Sequence, residues 1–271
     1  MTEVVTYQVE AFNPSAASEN RIHADDVARR YGFRGGLVPG VTVYGYLCHP
    51  IVRTLGESWL DRGTLRVKFV APCYEGETLT SMVTPSPDAS AVAVQAKVDH
   101  RACAVGTATV IGDLSPTLDL PSRPAPARQE RPEASTESLA PGRILGSIPL
   151  ATDPDTARGY LAMIGEALGL YQDGGVIHPG MLIQAANWVL VANVVLPAWV
   201  HVDTEMRHRR RVLVGEPIEV RAQVADGFNR RGHDYVALDV NWLADDEVVA
   251  SARHTAIWHL AEPENAPTSP H

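Results

Sequence analysis

Apolar and polar positions alternate with period two along "TLRVKFVAP", "ETLTSMVTP", "AVAVQAKVD" and "ACAVGTATVIG", and again along "IEVRAQVAD", "DYVALDVNWL" and "VVASARHTAIW". That period marks half-buried strands, and Gly, Pro and Asp between the runs mark the turns. Two segments break the alternation. "PGVTVYGYL" from Pro39 and "MLIQAANWVLVANVVLPAWV" from Met181 to Val200 are mostly apolar, which predicts one long helix before each set of strands. Helices apolar on most faces are buried on nearly all sides. One buried helix followed by several antiparallel strands, twice over, predicts an α+β chain with sheets wrapped around central helices.

The two sets echo each other in detail. "GGLVPGVTVYGYL" corresponds to "GGVIHPGMLIQAANWVL", and "LRVKFVAPCYEGETLTSMV" to "DTEMRHRRRVLVGEPIEVRAQV". Gly40 precedes Gly76 by 36 positions and Gly180 precedes Gly215 by 35, so two motifs recur at matched spacing. A repeat longer than one hundred residues is a duplicated domain rather than a solenoid. Between the copies, "SPTLDLPSRPAPARQERPEASTESLAPG" has no apolar period, and its Pro, Ser, Ala and charge predict an extended or disordered connector. The expected division is 1–112, a linker over 113–143, 144–262, and a flexible tail over 263–271.

Composition narrows the function classes. The 271 residues are 45% hydrophobic and 20% charged, with a net charge of −9. That is the balance of a soluble globular protein, and it argues against general nucleic-acid binding, which needs a basic surface. Three cysteines without metal-ligand spacing predict no disulfide framework and fit a reducing cytoplasm. The N-terminus lacks the pattern of a signal peptide. Met181 to Val200 is long enough to span a bilayer, but Gln184, Asn187, Asn193 and Pro197 favour a buried helix and no membrane span.

The candidate chemistry gathers at "SENRIHADDVARRYGFRGGLVPG". His23 titrates near neutrality and is a candidate base or acid, or else a helix-start residue beside Asp25 and Asp26. Asn20 is a candidate for orienting water, or else a capping residue. Gly40 opens a helix whose first N–H groups have no intrahelical acceptor, which suits a developing oxyanion.

This run resembles the MaoC-like hydratases and dehydratases, a double hotdog family with the pattern Asp-x-Asn-Pro-aliphatic-His and a Gly-led central helix. Asn20, Ile22, His23 and the distance to Gly40 agree. The pattern's Asp falls on Ser18, its Pro on Arg21, and the His of its Ala-His-Gly helix start on Pro39. In the second copy Glu166 falls at the Asp and Tyr171 at the His, while His178 stands beside the helix start. Related carrier-protein dehydratases place an acid where this chain has Gly45 and Ala185, and polyketide dehydratase domains where it has Ile183.

The resemblance implies a double hotdog pairing as a pseudo-dimer within one chain, with room for a homodimer. It implies reversible hydration of an enoyl thioester, with coenzyme A or an acyl-carrier-protein pantetheine arriving as part of the substrate and no separate cofactor or metal. The implied catalytic set is His23, Asn20, Gly40 and Ser18, with Glu19 or Glu166 as stand-ins for the missing Asp. The implied substrate-binding set is Pro39, Tyr44, Glu166, His178, Gly180, Arg207 and Arg209. On a strand, Arg207, Arg209 and Arg211 share a face, suited to phosphates of coenzyme A or to a solvated edge. A hotdog thioesterase and a non-catalytic acyl-thioester-binding subunit are the alternatives.

Overall fold

The computed structural model describes residues 3–86, 91–110, 116–173 and 175–261. Among the described residues there are ten strands, and the alternating runs fall along them: β1 (Val5–Glu10), β2 (Gly63–Phe69), β3 (Thr78–Pro85), β4 (Ala91–Val98), β5 (Arg101–Val110), β6 (Ile148–Leu150), β7 (Val200–His208), β8 (Ile218–Arg230), β9 (His233–Ala244) and β10 (Glu247–His259). The helices are α1 (Asp25–Arg30), α2 (Gly40–Leu55), α3 (Ser58–Arg62), α4 (Pro154–Ile164), α5 (Gly169–Gln172) and α6 (Pro179–Asn193).

All strands join one antiparallel sheet in the order β1-β3-β4-β5-β2-β7-β10-β9-β8-β6. Read from either edge to the centre, the order is the same: β1, β3, β4, β5, β2 on one side and β6, β8, β9, β10, β7 on the other. The halves meet where β2 pairs with β7, from Thr64 opposite Arg207 to Lys68 opposite Asp203. Gly76 and Gly215, the second anchor of the repeat, have left-handed φ of 77° and 84°, a conformation that favours glycine.

Helix α2 packs on β1, β3, β4, β5, β7 and α6, and every residue from Val41 to Val52 is buried. That is the outcome its mostly apolar run predicts. The run from Met181 does not stay helical to Val200. Helix α6 stops at Asn193, whose side chain bonds Gly146 N, Gly146 O and Val189 O at 2.6, 2.9 and 2.8 Å, and the chain then feeds β7. Among the described residues no helix is long and apolar enough to cross a membrane.

The described connector, 116–143, is extended and is pinned rather than free. Arg131 donates to Val191 O at 2.6 Å, Ser138 to Glu133 O at 2.8 Å, and Leu120 and Leu139 are buried. The tail expected over 263–271 lies outside the described residues.

Candidate functional site

The two central helices begin alike, with Pro-Gly, and their starts differ in what surrounds them. At α2, the carbonyl of Pro39 accepts from Thr42 N and Val43 N at 2.9 and 3.1 Å, and no side chain caps the helix. The Gly40 and Val41 N–H groups therefore have no acceptor among the described residues. Gly40 lines a cavity of about 180 Å³ whose apolar walls include Ile22, Phe33, Val43 and Phe69. His23, Cys73, Cys103, Asn187 and His201 add polar atoms, and no Asp or Glu lines it.

His23 and Asn20 sit at this cavity as a satisfied pair. His23 Nδ1 donates to Leu37 O at 2.7 Å, so its Nε2 carries the lone pair, and that accepts from Asn20 Nδ2 at 3.1 Å. Asn20 is engaged on both sides of its amide. Its Nδ2 donates to Trp199 O at 3.0 Å, and its Oδ1 accepts from Trp199 N at 3.1 Å and Ile22 N at 3.3 Å. The pair fastens the first copy to the start of β7. Burial pushes the His23 pKa down, only partly offset by the bond to Leu37.

The group with a free lone pair is His201, which the sequence reading passed over. Val202 is an extra residue in β7, because Asp203 pairs with Thr255 while His201 pairs with the next residue, Ala256. This bulge puts His201 and Thr204, three apart, on the same buried face, a known way for a strand to re-aim a side chain. His201 Nε2 contacts Asp203 O at 3.2 Å and Thr204 Oγ1 at 2.6 Å. A carbonyl only accepts, so Nε2 carries the proton and Nδ1 the lone pair.

Thr204 Oγ1 then donates to His254 Nδ1 at 3.1 Å, and His254 Nε2 donates to Asn187 Oδ1 at 2.9 Å. The chain of bonds ends on α6 and locks the tautomer of His201. Its Nδ1 is buried without a partner among the described residues and lies 2.9 Å from where a Cβ on Gly40 would stand. Glycine is what lets the ring approach the helix start this closely. Burial, then the neighbouring His254, hold the His201 pKa well below its ordinary value, so the ring is neutral at physiological pH.

At α6 the preceding residue is His178 rather than Val38, and it closes the start. Its Nδ1 accepts from Gly180 N at 3.0 Å, which leaves Nε2 protonated and 3.7 Å from Glu166 Oε2. Glu166 Oε1 accepts from His49 Nδ1 at 2.9 Å and from the N–H groups of Ala167 and Leu168 at 2.8 Å each. Burial raises the Glu166 pKa, but the nearby His178 and the bond from His49 outweigh it and hold the carboxyl well below the usual range. The Tyr160 hydroxyl fills the space over the helix, 1.8 Å from where a Cβ on Gly180 would stand.

Neither a family model nor a curated sequence matches the chain. Solved structures do. A protein described as a MaoC domain dehydratase from Chloroflexus aurantiacus superposes with a TM-score of 0.61 at 11% identity, over 96% of both chains. A Mycobacterium tuberculosis protein described as having a double hotdog fold gives 0.61 at 16% identity, over 94% of this chain and 96% of its own. A protein described as an oleoyl thioesterase from Lactobacillus plantarum gives 0.53 at 11% identity, over 96% and 97%. The fold is a double hotdog.

Within this hotdog pair several expected site residues lie elsewhere. The Ser18 hydroxyl donates to Asn20 O at 3.3 Å and does not line the cavity, so it serves the turn. Glu19 is exposed and paired with Arg128 and Arg131, and Glu166 is held at the α6 start. Neither carboxylate stands in beside His23. Pro39 lines the cavity, whereas Tyr44 is fully buried outside it.

Arg207 and Arg209 line a different hollow, of about 350 Å³, with Glu205, Asp239, Asn241 and Arg253. Along β7, Glu205 and Arg207 face away from the buried Thr204, Met206 and His208, which separates them from the helix starts. Arg207 bonds Glu205 at 2.7 Å, and Arg66 bonds the same carboxylate. Arg211 is committed to Asp61 and Glu57, each at 2.7 Å.

Proposed function

We propose that this chain acts on an acyl thioester at the start of α2, adding water to an enoyl group or removing it from a 3-hydroxyacyl group. The observation that carries this reading is the unpartnered, buried Nδ1 of His201 set against Gly40 of an uncapped helix. The solved structures that share the fold include ones described as dehydratases and thioesterases, which supports the substrate class.

The thioester carbonyl approaches Gly40 and accepts from the Gly40 and Val41 N–H groups. These donors strengthen as the oxygen becomes an enolate, and the helix dipole behind them adds to the effect. His201 Nδ1 takes the proton from the α-carbon and returns it to the departing β-hydroxyl, which leaves as water. Hydration is the reverse. One neutral imidazole serves both transfers, which fits a cavity with no carboxylate in its lining. His23 and Asn20 position the wall, and Ile22, Phe33, Val43 and Phe69 hold the acyl group. Coenzyme A or a carrier-protein pantetheine enters as part of the substrate.

A panel of enoyl-coenzyme A thioesters tests this. Loss of the enoyl absorbance without thiol release, abolished by His201→Ala, is the expected result. Thiol release would assign hydrolysis to the same donors instead. Absence of both reactions, with acyl thioesters still raising the melting temperature, would reduce the chain to a binding subunit.

A further inference from the structure

One wall of the α2 cavity has chemistry that hydration does not use. Cys73, in the turn after β2, and Cys103, on β5, both line the cavity, with Cys73 Sγ at 3.9 Å from Tyr74 O and Cys103 Sγ at 3.7 Å from Arg101 O. The backbone brings them together. Val70 N and Ala71 N both donate to Cys103 O, at 2.8 and 3.4 Å, so the turn lies across β5.

Pro72 O accepts from Cys103 Sγ at 3.6 Å and from Arg101 Nη1. Arg101 Nη2 is fixed by Glu77 at 2.7 and 2.8 Å, which keeps the guanidinium beside the pair. The third thiol, Cys48, is buried inside α2 against Tyr44 O and is no part of the cavity wall.

We propose that Cys73 and Cys103 form a reversible oxidation site, closed into a disulfide by a small peroxide that enters through the cavity. The Cys103 thiolate attacks one peroxide oxygen. An S–O bond forms, the O–O bond breaks, and the departing hydroxide takes a proton to leave as water. The Cys73 sulfur then attacks Cys103, forming the S–S bond and expelling the sulfenic oxygen as a second water. Two thiols are oxidised and one peroxide is reduced.

The two cysteines differ in the way this order requires. The neighbouring Cys73 thiol and the Arg101 guanidinium lower the Cys103 thiol to about 7 against the effect of burial. The neighbouring Cys103, with burial, raises Cys73. Cys103 is therefore the attacking thiol and Cys73 the resolving one. The site also touches the helix start, because Cys73 O accepts from Val38 N at 2.8 Å, one residue before Pro39.

The full chain is treated with hydrogen peroxide under native conditions, then unfolded, alkylated and mapped by mass spectrometry. Free thiols are expected to fall from three to one, with a Cys73–Cys103 linkage and Cys48 free, and dithiothreitol is expected to restore all three. Cys73→Ser is expected to stop at a sulfenic acid on Cys103 that dimedone labels. Three surviving thiols, a linkage that includes Cys48, or a disulfide between two chains would overturn the proposal. The linkage map of the unsubstituted chain decides the matter even if a variant fails to fold. It does so whether or not the chain hydrates thioesters.

Discussion

The starts of α2 and α6 derive from one repeated motif, yet one is open and the other closed. The deciding position is the residue before Pro-Gly. Val38 has no side-chain polar atom, so the first donors of α2 stay available to a ligand. His178 accepts from Gly180 N, and the same donor position at α6 is occupied by the protein itself. The groups that approach the two glycines differ as well. His201 reaches Gly40 from the opposite copy with a free lone pair, whereas Tyr160 covers Gly180 from within its own copy. Duplication supplied two equivalent helix starts, and a single capping residue with one covering ring separates a candidate site from a structural joint.

Equivalent substitutions at the two starts test that separation most directly. His201→Ala is expected to lower turnover per folded molecule by about 10²–10⁴-fold, the range for removing a general acid-base group, a loss beyond any cost in stability. His178→Ala is expected to do the opposite. Losing the cap costs about 1–2 kcal/mol, and turnover per folded molecule stays near that of the parent. Turnover and thermal unfolding measured on both variants check this, and a swapped pattern would move the site to α6.

Protonation probes both starts at once. Burial lowers the pKa of His201, of His254 to about 3, of His208 to about 4, and of His178. A histidine lowered in the folded state binds its proton more readily in the unfolded chain. Stability should therefore fall as pH drops below about 6.5, by up to about 1.4 kcal/mol per pH unit for each such group. The starts differ here too, since burial and His254 both lower His201, whereas Glu166 opposes burial at His178. His201→Ala should flatten the slope more than His178→Ala. Urea unfolding at a series of pH values reads this, and constant stability down to pH 5 would count against the buried, neutral histidines.

Glycine replacements have smaller effects. A Cβ on Gly180 would stand 1.8 Å from Tyr160 Oη, so Gly180→Ala should cost about 1–3 kcal/mol of stability through overpacking. A Cβ on Gly40 would meet His201 Nδ1 at 2.9 Å and Phe69 at 3.2 Å, on the cavity side. Gly40→Ala should therefore reduce kcat/KM more than it reduces stability. Equal losses of both quantities in the two variants would erase the distinction between the starts.

The repeat and the strands were legible because they are written locally. Alternation gives each strand, and the Gly40–Gly76 and Gly180–Gly215 spacings give the duplication. His201 was not legible for a physical reason. Strict alternation puts residues three apart on opposite faces, and only the extra residue Val202 brings His201 round to join Thr204. Beyond its neighbour Thr204, the groups that fix its tautomer are His254 on β10 and Asn187 on α6, so no local motif announces them. The Asn20 and His23 pattern pointed to the cavity at the α2 start, but a sequence does not show that both ring nitrogens of His23 are occupied. Glu166 was visible as an acid, but its engagement with His49, 117 residues away, depends on the packing of α2 beside α6.

The finest test of the closed start is Tyr160→Phe. The Tyr160 hydroxyl is buried with no hydrogen-bond partner among the described residues, and it presses on Gly180 and Gly45. A buried hydroxyl without a partner has lost its hydration and gained no bond in return, so removing it should be neutral or stabilising by up to about 1 kcal/mol. Tyr46→Phe is the matched control, because Tyr46 Oη accepts from Phe12 N at 3.1 Å and its loss should destabilise by about 1 kcal/mol. Chemical unfolding of the two variants separates the cases. If Tyr160→Phe destabilises as much as Tyr46→Phe, then the Tyr160 hydroxyl has a partner in solution. The α6 start would then be a hydrated polar chamber beside Glu166 and His178, rather than a joint sealed by a ring.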